Sequence, residues 1–377
     1  MLNTTHLFEN ATITPGGREV HHENELAAHY ERIVVKDMRL SWTTHHRLIR
    51  KLGEGGQGVV YLTDRRGSDG FTLPVALKVF SPARFSDVAS YEAAMTRIAT
   101  IASRVAMIQH DNLLDIHNFV VRDRIRMMVM EWIDGYDLKR LLEPSMLSRI
   151  QQRVSARRWE YINRVVVTAG PSQSRLKAGV AMAIVRECLG AIGALHREGI
   201  VHGDIKPANV MLKCTGNAKL IDTGSAFPVD APPLPRTCTP AYAAPEVLEG
   251  TDCSARGDLA SLGYVLIEML AGRSPFAGLA LYRELLESKR SLPHRLHELL
   301  PSEVTVNTLL MKFIRGLIAP DPIRRFPSAE AADLLDEGAA AFQRQLVKGD
   351  LSSEYDNEIR LWLHELRGLE NSDQDGV

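Results

Sequence analysis

The chain has 377 residues, 45% of them hydrophobic and 24% charged, with a formal net charge of -1. That balance belongs to a globular protein with room for one large domain or two lobes. It excludes a global basic field of the kind that gathers nucleic acid or acidic membranes, so neither is an expected partner.

The N-terminus lacks a basic region followed by an apolar run and is not read as a signal peptide. Residues 1–44 form an irregular extension with a short helix expected near 23–34, where His21, His22 and His29 are read as solvated side chains. From His46 to about Glu131 the segments HRLIRKL, GVVYLTD, VALKVF and RMMVMEW are β-branched or alternating apolar runs, expected as strands. One helix interrupts them over 88–105, with Tyr91, Met95, Ile98, Ala102 and Val105 on one face. After a junction near Ile133–Gly135 the texture turns helical, with helices expected at 179–197, 257–272, 305–318 and 328–345. A small strand-rich lobe thus precedes a larger helical one. The most apolar stretches, 179–195 and 259–272, are broken by Arg186, Glu187 and Glu268, so no membrane insertion is expected. The cysteines Cys188, Cys214, Cys238 and Cys253 form no C-x-x-C pair, which points to a reducing, cytoplasmic setting. Near the C-terminus Tyr355, Ile359, Trp362, Leu363 and Leu366 share one helical face, expected to pack on the helical lobe or on a partner.

Chemistry concentrates at two places. Gly53, Gly55 and Gly58 form G-x-G-x-x-G between two strands, so they sit in a hairpin turn where backbone N–H groups can approach phosphates. A plain glycine hairpin is the other reading. Lys78 lies inside the apolar strand PVALKVF, where a buried ammonium needs a partner, and Glu92 is the acidic residue of the following helix. The second place is VHGDIKPANVML, residues 201–212. Asn209 precedes an apolar run, a turn follows, and the chain returns to Asp222. This hairpin brings Asn209 and Asp222 together as two oxygen ligands suited to Mg2+. Asp204 and Lys206 lie on the loop entering it, placed to accept a proton from a hydroxyl and to neutralise phosphoryl charge. A capped turn around a satisfied aspartate is the bland alternative.

Taken in order, these motifs resemble the protein kinases, and most closely the eukaryotic-like serine/threonine kinases of bacteria, over roughly residues 45–340. The resemblance implies an α+β, bilobal fold: an N-lobe over 45–132 and a C-lobe over 133–343 with a long insertion at 143–177. Residues 1–44 precede this domain, and 344–377 follow as a helical extension with an acidic tail. It implies transfer of the γ-phosphate of Mg-ATP to protein hydroxyls, including the chain's own. In this reading Gly53, Gly55, Gly58 and Val60 cover the nucleotide, Lys78 holds its α- and β-phosphates, and Glu92 pairs with Lys78. Met130 guards the adenine pocket, the backbone of Glu131 and Ile133 bonds the adenine edge, Asp137 reaches the ribose and Met211 forms the floor. Asp204 is the catalytic base, Lys206 the γ-phosphate contact, and Asn209 and Asp222 the metal ligands. Glu246 should pair with Arg325, Asp258 should brace the catalytic loop, and the Thr239 hydroxyl should lie against Asp204.

Three departures from the family pattern stand out. Gly203 occupies the usual arginine position before Asp204, Thr223 replaces the phenylalanine after Asp222, and Thr96 stands one turn after Glu92. They imply a more polar internal spine of Ile116, Thr96, Thr223 and His202. Loss of the arginine implies activity without phosphorylation of the activation segment, so Thr237→Ala should keep near-normal activity while Thr239→Ala should not. The insertion carries six arginines and Trp159 and is read as solvated, with partner contact through it or through 354–366 as the other use. A small-molecule kinase of the same fold and a catalytically silent scaffold are the competing functions. Lys206 and the Ala244-Pro245-Glu246 segment speak against the first, and the filled phosphate, metal and base positions against the second.

Overall fold

The computed structural model describes residues 46–232, 238–251, 254–279, 281–348 and 355–374. The expected helix near 23–34, Cys253 and Thr237 lie outside the described residues.

A five-stranded antiparallel sheet in the order β1-β2-β3-β5-β4 forms the first lobe. Its strands are β1 (His46–Gly55), β2 (Gly58–Arg66), β3 (Thr72–Phe80), β4 (Ile116–Arg122) and β5 (Ile125–Glu131). β4 was not expected, because His117 and Asn118 interrupt its alternation where the register slips between Ile116 and Asn118. Helix α1 (Val88–Val105) starts at a capping box in which Ser90 N–H donates to Asp87 Oδ1 at 2.7 Å. The expected face of Tyr91, Met95, Ile98, Ala102 and Val105 is buried.

The second lobe begins with β6 (Gly135–Asp137) and the short α2 (Leu138–Leu141). The insertion is folded. It forms α3 (Pro144–Gln151), α4 (Ala156–Val165) and a small hairpin of β7 (Val167–Ala169) and β8 (Ser174–Leu176). Helix α5 (Ala178–Arg197) is long and apolar enough to cross a membrane, yet Val180, Ala181, Met182, Val185 and Ile192 are fully buried in the lobe core. β9 (Ile200–Val201), β10 (Val210–Lys213), β11 (Ala218–Leu220) and β12 (Phe227–Pro228) follow, with β10 paired to both β11 and β6. The remaining helices are α6 (Pro245–Glu249), α7 (Ala255–Ala271), α8 (Tyr282–Leu299), α9 (Ser302–Thr305), α10 (Thr308–Ile318), α11 (Ala329–Leu334), α12 (Ala339–Lys348) and α13 (Tyr355–Gln374). α8 was not anticipated, since Pro293 lies inside it. The helix expected over 328–345 is split into α11 and α12 just before Gly338, where a side chain would meet the Ala332 and Asp333 carbonyls.

The face of α13 is buried as expected: Tyr355, Ile359, Trp362, Leu363 and Leu366 are at most 4% exposed. The insertion departs from the solvated reading, for a charge reason. Arg158 of α4 meets Glu365 at 2.7 Å and Glu358 at 3.4 Å, and the Tyr161 hydroxyl donates to Glu358 at 2.9 Å. The insertion, read as solvated, and the C-terminal helix thus cover each other.

Candidate active site

Gly55 pairs with Gly58 across the β1–β2 hairpin, leaving Gly56 and Gln57 at its tip. Gly58 has φ +142°, and a Cβ there would strike the Val79 carbonyl of β3, so the hairpin can lie this close to β3 only with glycine. Val60 is paired with Gly53 on one side and Lys78 on the other, which puts the lysine beneath the glycine loop.

The Lys78 ammonium donates to Asp222 Oδ1 at 2.5 Å and to Gln57 Oε1 at 2.7 Å. It does not meet Glu92. Glu92 pairs instead with Arg124 of the β4–β5 turn at 2.9 Å. Helical phase explains the correction: Glu92 follows Tyr91, a buried-face residue, and so lies about 100° round the helix from it. Thr96 follows Met95 in the same way and is exposed, with its hydroxyl bonded back to the Glu92 carbonyl at 3.0 Å. The spine therefore does not pass through Thr96. Thr223 is buried, and its hydroxyl has no hydrogen-bond partner among the described residues. His202 is fully buried with its ring against the Ile221 carbonyl at 3.1 Å.

β10 and β11 form the expected hairpin, and the Ile221 N–H donates to the Asn209 carbonyl at 2.9 Å. Asn209 and Asp222 thus sit at its adjoining ends. Asp222 has φ +62°, an unusual left-handed conformation for a non-glycine residue and one found at functional sites. Burial pushes its carboxyl up, but the Lys78 ammonium and the Gly224 N–H outweigh that and hold it below the usual carboxylate range. The Asn209 amide nitrogen donates to the Asp204 carbonyl at 2.7 Å, which orients its side-chain oxygen away from that contact.

Asp204 and Lys206 are together. Lys206 Nζ lies 2.6 Å from Asp204 Oδ2 and 3.0 Å from the Thr239 hydroxyl. That hydroxyl donates to Asp204 Oδ1 at 2.7 Å, and the Thr239 N–H at 3.0 Å, as expected of Thr239. Asp258, 2% exposed on α7, accepts the N–H groups of His202 and Gly203 at 2.9 Å each and meets His196 at 2.9 Å. Burial raises its carboxyl, and these partners more than reverse the rise. Glu246 and Arg325 form a buried two-pronged pair at 2.5 and 2.7 Å.

At the junction of the lobes Met130 is buried between Ala76 and Ile116 in register. The Glu131 N–H donates to the Asp115 carbonyl at 2.9 Å, and its carboxylate holds the buried Lys219. Ile133 is buried beside it. Asp137 faces Met211 in register, and burial raises its carboxyl although it caps α2 through Arg140 N–H at 3.0 Å. Sequence reasoning missed Gln57, whose only signal is its place at the tip of a glycine hairpin above a strand lysine.

A sequence profile for the protein kinase domain matches residues 46–335. The chain is 31% identical over 294 residues to serine/threonine-protein kinase PkaA of Streptomyces coelicolor, covering 74% of this chain and 47% of that protein. It is 27% identical to PknA of Corynebacterium glutamicum over 79% of this chain and 55% of that one. With PrkC of Bacillus subtilis the identity is 28%, over 76% and 39%. The chain thus spans about half or less of the length of these relatives.

Proposed function

The chain belongs to the protein kinase family, and on that premise we propose that it transfers the γ-phosphoryl group of Mg-ATP to serine or threonine hydroxyls of proteins, its own included. The observation that carries this reading is the Asp204–Lys206–Thr239 cluster, with contacts of 2.6, 2.7 and 3.0 Å. A hydroxyl arriving at Asp204 would exchange one of these contacts for its own and lose its proton to the carboxylate. Lys206 then lies beside the developing charge.

The donor set fits magnesium. Asn209 and Asp222 offer hard oxygens, and two protein oxygens completed by phosphates suit that ion. When bound it would neutralise charge on the phosphates. Lys78, Val60 and the glycine hairpin would hold the nucleotide, and the strand end at Glu131 and Ile133, with Asp137 and Met211, would frame the base and ribose. A cytoplasmic setting is supported by Cys188, Cys214 and Cys238, none of which is in a disulfide.

Incubation with γ-labelled ATP and Mg2+, followed by phosphoamino-acid analysis, tests the reading. Phosphoserine or phosphothreonine is expected, and Asp204→Asn should lower turnover by about 10²–10⁴-fold. Label on small molecules alone, or transfer unchanged in Asp204→Asn, would overturn it.

A further inference from the structure

We infer that Gln57 is the positioning residue of the Lys78 ammonium, a task that the family resemblance gives to a carboxylate on helix α1. This inference rests on the kinase reading above.

Helix α1 contains one carboxylate, Glu92, and Arg124 engages it on the outer side. Its inner face of Tyr91, Met95, Ile98, Ala102 and Val105 offers no charge to the active site. The Lys78 side chain is 9% exposed and must still find acceptors. Asp222 supplies one, at 2.5 Å, and Gln57 the other, at 2.7 Å.

The amide orientation follows from chemistry. An ammonium only donates, so the Gln57 oxygen must face it, and the amide nitrogen then points to the Ser225 hydroxyl at 3.4 Å. Gly224 leaves room for this, because a Cβ there would fall on Gln57 Oε1. The Gln57 carbonyl also accepts the Ser81 N–H at 3.0 Å, so hairpin tip and lysine strand are tied together by backbone as well. Lysine placement is thereby carried by the loop that covers the phosphates. A neutral amide adds no second negative charge beside the lysine, whose anionic partner is Asp222.

The test measures equilibrium binding of a non-hydrolysable ATP analogue with Mg2+, together with kcat and KM for ATP, after thermal melting confirms that each variant folds. Gln57→Ala should weaken analogue binding by about ten- to a hundredfold, the worth of a hydrogen bond to a charged group, and raise KM more than it lowers kcat. Gln57→Met, which fills similar space without an acceptor, should behave alike, while Gln57→Glu should keep most of the affinity. Glu92→Ala removes only the Arg124 contact and should bind the analogue as the natural chain does. Wild-type binding by Gln57→Ala, or a loss in Glu92→Ala as large as in Lys78→Ala, would overturn the inference. If the natural chain bound the analogue but phosphorylated no protein, the kinase reading would fall while the binding comparison still decided between Gln57 and Glu92.

Discussion

Gly203 shows how one residue can change both charge and backbone. Its φ is +75°, its N–H is held by Asp258, and a Cβ would come within 3.0 Å of the Phe227 ring and 3.1 Å of the Ser225 carbonyl. An arginine here would add a cation that the activation segment would then have to neutralise, and would do so in a left-handed conformation. We predict that Gly203→Arg loses about 1–3 kcal/mol of stability, measured by chemical denaturation. The natural chain should keep its rate after quantitative dephosphorylation, whereas the arginine variant should become phosphate-dependent. Loss of activity in the natural chain on dephosphorylation would show that charge at residue 203 is not the determinant. That Asp204, Lys206, Asn209 and Asp222 lie together was legible, because their placement follows from the loop and hairpin geometry. The Glu92 role was not, because it came from a family pattern that helical phase contradicts: the face read from Tyr91 to Val105 already turned Glu92 aside.

Among the elements, α13 was the most readable and its partner the least. Spacing alone placed Tyr355, Ile359, Trp362, Leu363 and Leu366 on a buried face, but spacing does not say what covers it. α13 packs on α3, α5 and β10, which come from far apart in the chain, and α4 reaches it through Arg158 and Tyr161. β4 and α8 were missed because one carries polar residues at a register slip and the other an internal proline. Trp362 is 1% exposed, so Trp362→Ala should cost about 3–5 kcal/mol. Because Arg158 and Tyr161 reach α13 from α4, limited proteolysis of that variant should open the 143–177 segment along with the C-terminal helix. Cleavage confined to α13, with α3 and α4 still protected, would mean that the two do not fold as one unit.

At the scale of the whole molecule, one buried lysine sets a pH dependence. Lys289 of α8 is fully buried, donates to the Ala241 carbonyl at 2.6 Å, and lies 4.1 and 3.9 Å from the Tyr264 and Phe276 rings. Burial drives its ammonium down to about 6 from 10.5. Between those values the unfolded chain holds a proton that the folded chain does not, so folding becomes more favourable as pH rises through the window. Natural chain and Lys289→Met should therefore differ in denaturation free energy by an amount that moves in the natural chain's favour as pH increases. The slope should approach about 1.4 kcal/mol per pH unit at most. A difference independent of pH would mean that the lysine keeps its charge in the folded state. Asp258 has a consequence of another kind. It fastens His202 and Gly203 to α7, whose residues from Gly257 to Ala271 are buried throughout. Lys78 takes one of its two holds, Gln57, from a hairpin tip on the opposite lobe, and the other from Asp222. Proton removal thus hangs from α7, while part of the nucleotide grip hangs from the hairpin tip, and mutation at Gln57 can explore that part while the base stays fixed. A lineage built this way can replace the lysine's companion, change its hold on nucleotide and keep its base aligned through every intermediate step.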